Sequence, residues 1–154
     1  MSKRYRVAFI CTRNSCRSQI AEAFARSLAS DVIEPFSGGI EPGLQLDNGA
    51  VETMKEIGID ISGSRPKRLP QEILYSFDLV VHMGCGSEQC LEVPGVPSEE
   101  WSIEDPADGG PEEYRQVREV IRAKVVDLAD RLRSEGMDAR SSAARVTPLR
   151  IDLV

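Results

Sequence analysis

The sequence predicts an α/β domain, a three-layer sandwich around a four-stranded, mostly parallel sheet, and three observations carry that expectation. Val7-Ala8-Phe9-Ile10 is an unbroken apolar run rich in β-branched and aromatic residues, the pattern of a strand buried on both faces. It stops at Cys11 and passes within a few residues into helical sequence, where Ile20, Phe24 and Leu28, with Ala21 and Ala25, form one stripe. Phe77-Asp78-Leu79-Val80-Val81-His82-Met83 then repeats the device, a buried strand running into a loop at Gly84-Cys85-Gly86.

The remaining elements follow in order. Ser18 stands where a hydroxyl can cap the first helix. Val32 to Ser37 reads as a second strand, broken by Gly38-Gly39 and then by Glu41-Pro42-Gly43; the two glycines are either plain turn residues or shape the site. Asp47 can cap a second helix with inner face Val51, Met54 and Ile57, which Gly58 terminates. Residues 59–68, with Arg65, Lys67 and Arg68, form a solvated connection before a short helical piece at Gln71 to Leu74. Trp101-Ser102-Ile103 is a short fourth strand leading to Glu104-Asp105-Pro106. The last helix starts at Pro111, carries Glu112 and Glu113 at its positive end, keeps Tyr114, Val117, Ile121, Val125, Leu128 and Leu132 on one face, and ends near Gly136. Residues 1–136 make the domain, and 137–154 are a tail, either loose or an added edge strand.

Composition narrows the function. A net charge of -6 over 154 residues argues against a general nucleic-acid binder, though one loop and one arginine can still hold an anion against a diffuse distant charge. The apolar run after the basic start is too short for a signal segment or a membrane span, so a cytoplasmic protein without membrane attachment is expected. Four cysteines in such a compartment point to catalytic, redox or metal chemistry ahead of structural disulfides.

The chemistry gathers at Cys11-Thr12-Arg13-Asn14-Ser15-Cys16-Arg17-Ser18. A strand-loop-helix turn aims backbone N–H groups and the helix dipole at one point, a site for a tetrahedral oxyanion. The same field favours thiolate over thiol at Cys11, and the Arg17 fork can donate two parallel hydrogen bonds to the anion. Cys85 and Cys90, with a flexible spacer of four residues between them, can form a disulfide and so act as a thiol relay. The rival is a zinc site of Cys11, Cys16, Cys85 and Cys90. Asp105 before Pro106 offers a carboxyl on a stiff turn, suited to a general acid. His82 reads as a strand-end residue, and Gly84-x-Gly86 lacks the rest of a nucleotide fingerprint.

With these residues in hand, the sequence resembles the arsenate reductases built on the low-molecular-weight protein tyrosine phosphatase fold. Ser18 to Ala23, Ser37 to Pro42, Glu56 to Ser62 and Trp101 to Pro106 extend the likeness, which runs to about the end of the last helix. The resemblance implies a nucleophile at Cys11 and an oxyanion held by Arg17 and the amides of Thr12, Arg13, Asn14, Ser15, Cys16 and Ser18. It further implies that Ser18 steadies the thiolate, Asn14 braces the loop, Asp105 is the general acid, and Cys85 with Cys90 passes electrons from thioredoxin or a similar dithiol. Cys16 has no required redox role, and neither metal nor other cofactor is called for. The substrate would be arsenate, with phosphate or sulfate as competing oxyanions. Two positions depart from the pattern: Arg13 stands where the family usually has a small residue, often glycine, and the spacing from Cys85 to Cys90 is shorter than in the best-known thioredoxin-coupled members. The alternatives are a phosphatase working through a phosphocysteine and a non-catalytic zinc or thiol-redox sensor. Tyrosine-specific phosphatases of this fold tend to place aromatic residues after the Asp-Pro pair, where this chain has Ala107-Asp108-Gly109-Gly110.

Overall fold

The computed structural model describes residues 4–84 and 93–135, so Cys85, Cys90, Gly136 and the expected tail lie outside the described residues. In chain order the elements are β1 (Tyr5–Cys11), α1 (Arg17–Leu28), β2 (Ile33–Gly39), α2 (Asn48–Lys55), a 3-10 turn (Gln71–Ser76), β3 (Leu79–His82), β4 (Ser98–Glu100) and α3 (Pro111–Glu135). The sheet order is β2-β1-β3-β4, and every pairing is parallel.

Strand alternation divides the core. Val7 and Phe9 of β1, with Leu79 and Val81 of β3, face a layer made by Ile20 and Phe24 of α1, Ala50 and Met54 of α2, and Ile121, Val125 and Leu128 of α3. Ala8, Ile10 and Val80 face the opposite way, against Leu69, Phe77 and the 3-10 turn. Among the described residues no helix is long and apolar enough to cross a membrane.

Several expected boundaries move, each for a physical reason. The fourth strand is Ser98–Glu100, three residues before the expected Trp101–Ile103. Glu99 is buried there because Arg131 of α3 grips its carboxylate at 3.0 and 3.2 Å and the Trp101 indole N–H donates at 3.1 Å. Trp101 keeps one backbone bond to the His82 carbonyl and then leaves the sheet. β2 runs on through Gly38 and Gly39, which pair with Ile10 and Cys11 and do not break the strand. Pro35 is tolerated within it because β2 is an edge strand. The first helix begins at Arg17, with Cys16 at the N-cap position and no side-chain cap, so Ser18 lies inside the first turn and is not the cap. Leu28, placed in the α1 stripe by its spacing, is exposed at the helix end.

On α2 the buried residues are Ala50, Thr53 and Met54, while Val51 and Ile57 are half-buried. Asp47 caps this helix by accepting from the Gly49 N–H, and Gly58 has the positive φ of 84° that a terminating turn favours. The α3 stripe is buried from Tyr114 to Leu132.

Candidate active site

β1 delivers Cys11 to the carboxyl end of the sheet, where the order reverses between β1 and β3 and a crevice opens. Its sulfur is buried and has two polar contacts. The Asn14 N–H donates to Sγ at 3.3 Å, and the Ser18 Oγ lies 2.9 Å from it. Because Ser18 Oγ already accepts from Asn14 Nδ2 at 2.7 Å, its own hydrogen is free to point at the sulfur. Donors converging on sulfur suit a thiolate better than a thiol.

Asn14 holds the loop in shape. It is fully buried with φ of 55°, a left-handed conformation that asparagine tolerates better than most residues. Its Oδ1 accepts from Gln19 Nε2 and from the Lys67 N–H, each at 3.0 Å, and Gln19 Nε2 also reaches the Arg65 carbonyl. Arg65 and Arg68 of the basic connection are exposed, Lys67 Nζ reaches Ser37 Oγ and Glu22, and the backbone of the connection braces the loop. Asn14→Ala is expected to cost about 2–3 kcal/mol, combining left-handed strain with buried groups left unpaired. Asn14→Gly relieves the strain alone and should recover about 1 kcal/mol of that loss. Urea unfolding measures both; wild-type stability in Asn14→Ala would refute the bracing role.

The other side of the loop is laced to residues 40–47. Carbonyls of Cys11, Thr12, Arg13 and Ser15 accept from the N–H groups of Ile40, Glu41, Gly43 and Asp47. Gly39 is indispensable to this fit: a Cβ there would stand 2.9 Å from both the Arg13 carbonyl carbon and the Thr12 oxygen. Of the two readings open for Gly38-Gly39, shaping the site is the one the packing favours.

Arg17 is almost fully buried, and two groups from the segment after β4 hold it. Nη1 donates to the Ile103 carbonyl at 3.0 Å, and Nη2 lies 3.6 Å from Asp105 Oδ2, a carboxylate about half exposed. Gly84 closes the far side, since a Cβ on it would meet Arg17 Nη1 at 2.4 Å. Cys11, Arg13, Arg17, Asp47, Gly84 and Asp105 line one cleft of about 760 Å³. The structure thus brings together Cys11, the loop from Thr12 to Ser18, and Asp105. The expected relay residues Cys85 and Cys90 lie outside the described residues, although Gly84, the residue before Cys85, is on the cleft wall. The zinc rival needs those two cysteines as well; among the described residues no cluster of three metal-binding side chains forms.

Burial, then the charges of Asp47, Asp105 and Cys11, push the Cys16 thiol far above the ordinary thiol range, with Arg17 opposing them. Cys16 therefore stays protonated through neutral and mildly alkaline pH. In native protein treated with iodoacetamide up to pH 9, the peptide holding Cys16 is expected to remain unmodified until urea is added. Prompt alkylation at pH 7 would contradict this.

Asp47 on the cleft wall, and Tyr114 behind it, do not stand out as site residues in the sequence. The Tyr114 hydroxyl donates to Asp47 Oδ2 at 2.5 Å, tying the first turn of α3 to the start of α2, and burial followed by Asp47 raises the Tyr114 phenol. Helix capping and core spacing explain Asp47 and Tyr114 completely, so nothing local marks their second role.

A strand-loop-helix turn that buries a cysteine sulfur beside hydrogen-bonding groups, a buried arginine and a carboxylate is an arrangement suited to cysteine chemistry on an oxyanion, carried by a parallel α/β sheet. The chain belongs to the low molecular weight phosphotyrosine protein phosphatase family, whose model matches residues 6–138. It is similar to arsenate reductase 2 of Staphylococcus epidermidis, at 37% identity over 127 residues, 81% of this chain and 96% of the relative. Among solved structures it resembles the thioredoxin-dependent arsenate reductase of Corynebacterium glutamicum, with a TM-score of 0.72 and 30% identity over 86% of this chain; the match spans 63% of that protein. It also resembles the YwlE arginine phosphatase of Geobacillus stearothermophilus, with a TM-score of 0.71 and 26% identity, covering 87% of this chain and 96% of the other.

Proposed function

We propose that this protein reduces arsenate to arsenite through a covalent adduct on Cys11. The observation that carries the reading is the Cys11 sulfur, held under the Asn14 N–H and the Ser18 hydroxyl in the loop that Arg17 closes. Similarity to arsenate reductases over four-fifths of the chain supports the choice of substrate. Cys11 attacks arsenic, and Asp105 gives a proton to the departing oxygen so that it leaves as water. Arg17 and the loop amides bind the remaining oxygens.

Cys85 then attacks the Cys11 sulfur, the arsenic–sulfur electron pair stays on arsenic, and arsenite departs, leaving a Cys11–Cys85 disulfide. Cys90 displaces Cys11 from Cys85 and forms a Cys85–Cys90 disulfide. Arsenate and two thiols thereby become arsenite, water and one disulfide. Thioredoxin or a similar dithiol reduces that disulfide, which sets the reaction in a reducing, cytoplasmic setting. Phosphate and sulfate compete for the loop. No metal, nucleic acid or membrane takes part.

A second reading, a phosphatase, is favoured by the arginine phosphatase likeness and needs only Cys11, Arg17 and Asp105. Arsenite release with thioredoxin and its reductase, measured beside phosphate release from an aryl phosphate, tests the two. Arsenite formation coupled to thioredoxin oxidation supports the reductase. Phosphate release with no arsenite formed would replace it by the phosphatase.

A further inference from the structure

Arg13 lies inside the loop between Cys11 and Arg17, and it is a long cationic residue on the wall of the same cleft. Its carbonyl accepts from the Gly43 N–H at 2.9 Å. Its side chain runs along Gly43, with Nε and Nη2 each 3.5 Å from the point that a Cβ there would occupy. The guanidinium therefore occupies the space beside Gly43 that a side chain there would share.

The charged groups deeper in the cleft are engaged, while Asp108 lines its outer part. Arg17 donates to Ile103 and pairs with Asp105, and Asp47 accepts from Tyr114 and Gly49. The Arg13 guanidinium, by contrast, has no hydrogen bond or ion pair with another described residue. It is a planar fork of donors waiting at the mouth of an anion site.

Attack by Cys11 on a tetrahedral centre turns one substituent outward, away from the sulfur and toward the mouth. In a free oxyanion that substituent is oxygen and accepts hydrogen bonds. In a monoester it carries the organic group, which offers a poorer acceptor and crowds the fork. We infer that the Arg13 side chain is a specificity-determining residue that favours unesterified oxyanions over esters and other substituted anions. The inference rests on Cys11 being the point of attack, and it deepens the reading of arsenate as substrate.

Calorimetric binding of inorganic phosphate and of phenylphosphonate to the full chain tests it, at a pH where both are dianions. Phenylphosphonate carries carbon where phosphate carries the outward oxygen, and neither ligand needs turnover, so failure of arsenate reduction is a separate result. Arg13→Gly is expected to weaken phosphate about fivefold while changing phenylphosphonate less than twofold, a difference suited to one exposed charge-assisted hydrogen bond. Retained phenylphosphonate binding also shows that the loop is intact. Arg13→Lys keeps the charge and loses the fork, so it should remain unselective. Equal loss of both ligands, no loss of either, or full selectivity in Arg13→Lys would overturn the proposal.

Discussion

Replacing Cys11 by serine is expected to abolish arsenate reduction and any aryl phosphate hydrolysis together, each by at least about a thousandfold. Both reactions need a sulfur anion in one place, and that place is built around sulfur. The Asn14 N–H at 3.3 Å and the Ser18 hydroxyl at 2.9 Å stabilise negative charge there, and a serine oxygen does not ionise under the same influence. The substitution is nearly isosteric in a buried site, so unfolding in urea should change little and lost activity reads as lost chemistry. Arsenite production near the wild-type rate in Cys11→Ser would remove Cys11 from the reaction.

The second large effect separates the relay thiols. Cys85→Ser is expected to stop arsenite release altogether, whereas Cys90→Ser permits a single turnover and then stalls as a Cys11–Cys85 disulfide. Hydrolysis of an aryl phosphate should survive in both, because attack by Cys11 and protonation by Asp105 use neither thiol. Peptide mass spectrometry after one equivalent of arsenate identifies the bridge. Repeated turnover by Cys90→Ser with thioredoxin, or a bridge between Cys11 and Cys16, would show that electrons take another route. The protonated, buried state of Cys16 argues against that bridge, since a thiol makes a poor attacking group.

Much of this arrangement was readable from the chain because it depends on local pattern. The run from Val7 to Ile10 and the stripe on α3 announce themselves by burial and spacing, and Asp47 announces a helix start by its position. Cys11 and Arg17 stand at the two ends of one short loop, so the chain itself brings them to one cleft. What escaped notice involves partners far apart in sequence. Ser98-Glu99-Glu100 has no β-forming character, and it becomes a strand because Arg131, 32 residues later, neutralises Glu99 inside the protein. For the Ser18 hydroxyl the chain offers two jobs, a helix cap or a contact with the sulfur that the family resemblance implies, and the hydrogen bond from Asn14 selects the second. Likewise, Gly38-Gly39 looks like a break until Cys11 is placed opposite it.

Pro35 has one further consequence, for how the molecule meets its neighbours. The Gly39 N–H donates away from β1, to the Lys67 carbonyl, and residues two and four positions earlier in the strand share that direction. The hydrogen that Pro35 lacks is therefore one that would have faced outward from the sheet edge. An extended peptide arriving at β2 finds a gap in the middle of the row and, at its end, an N–H already taken. At the opposite edge β4 offers three residues. Neither border gives a template long enough for another chain to zip on, so the described part of the fold resists the edge-to-edge stacking that precipitates exposed parallel sheets.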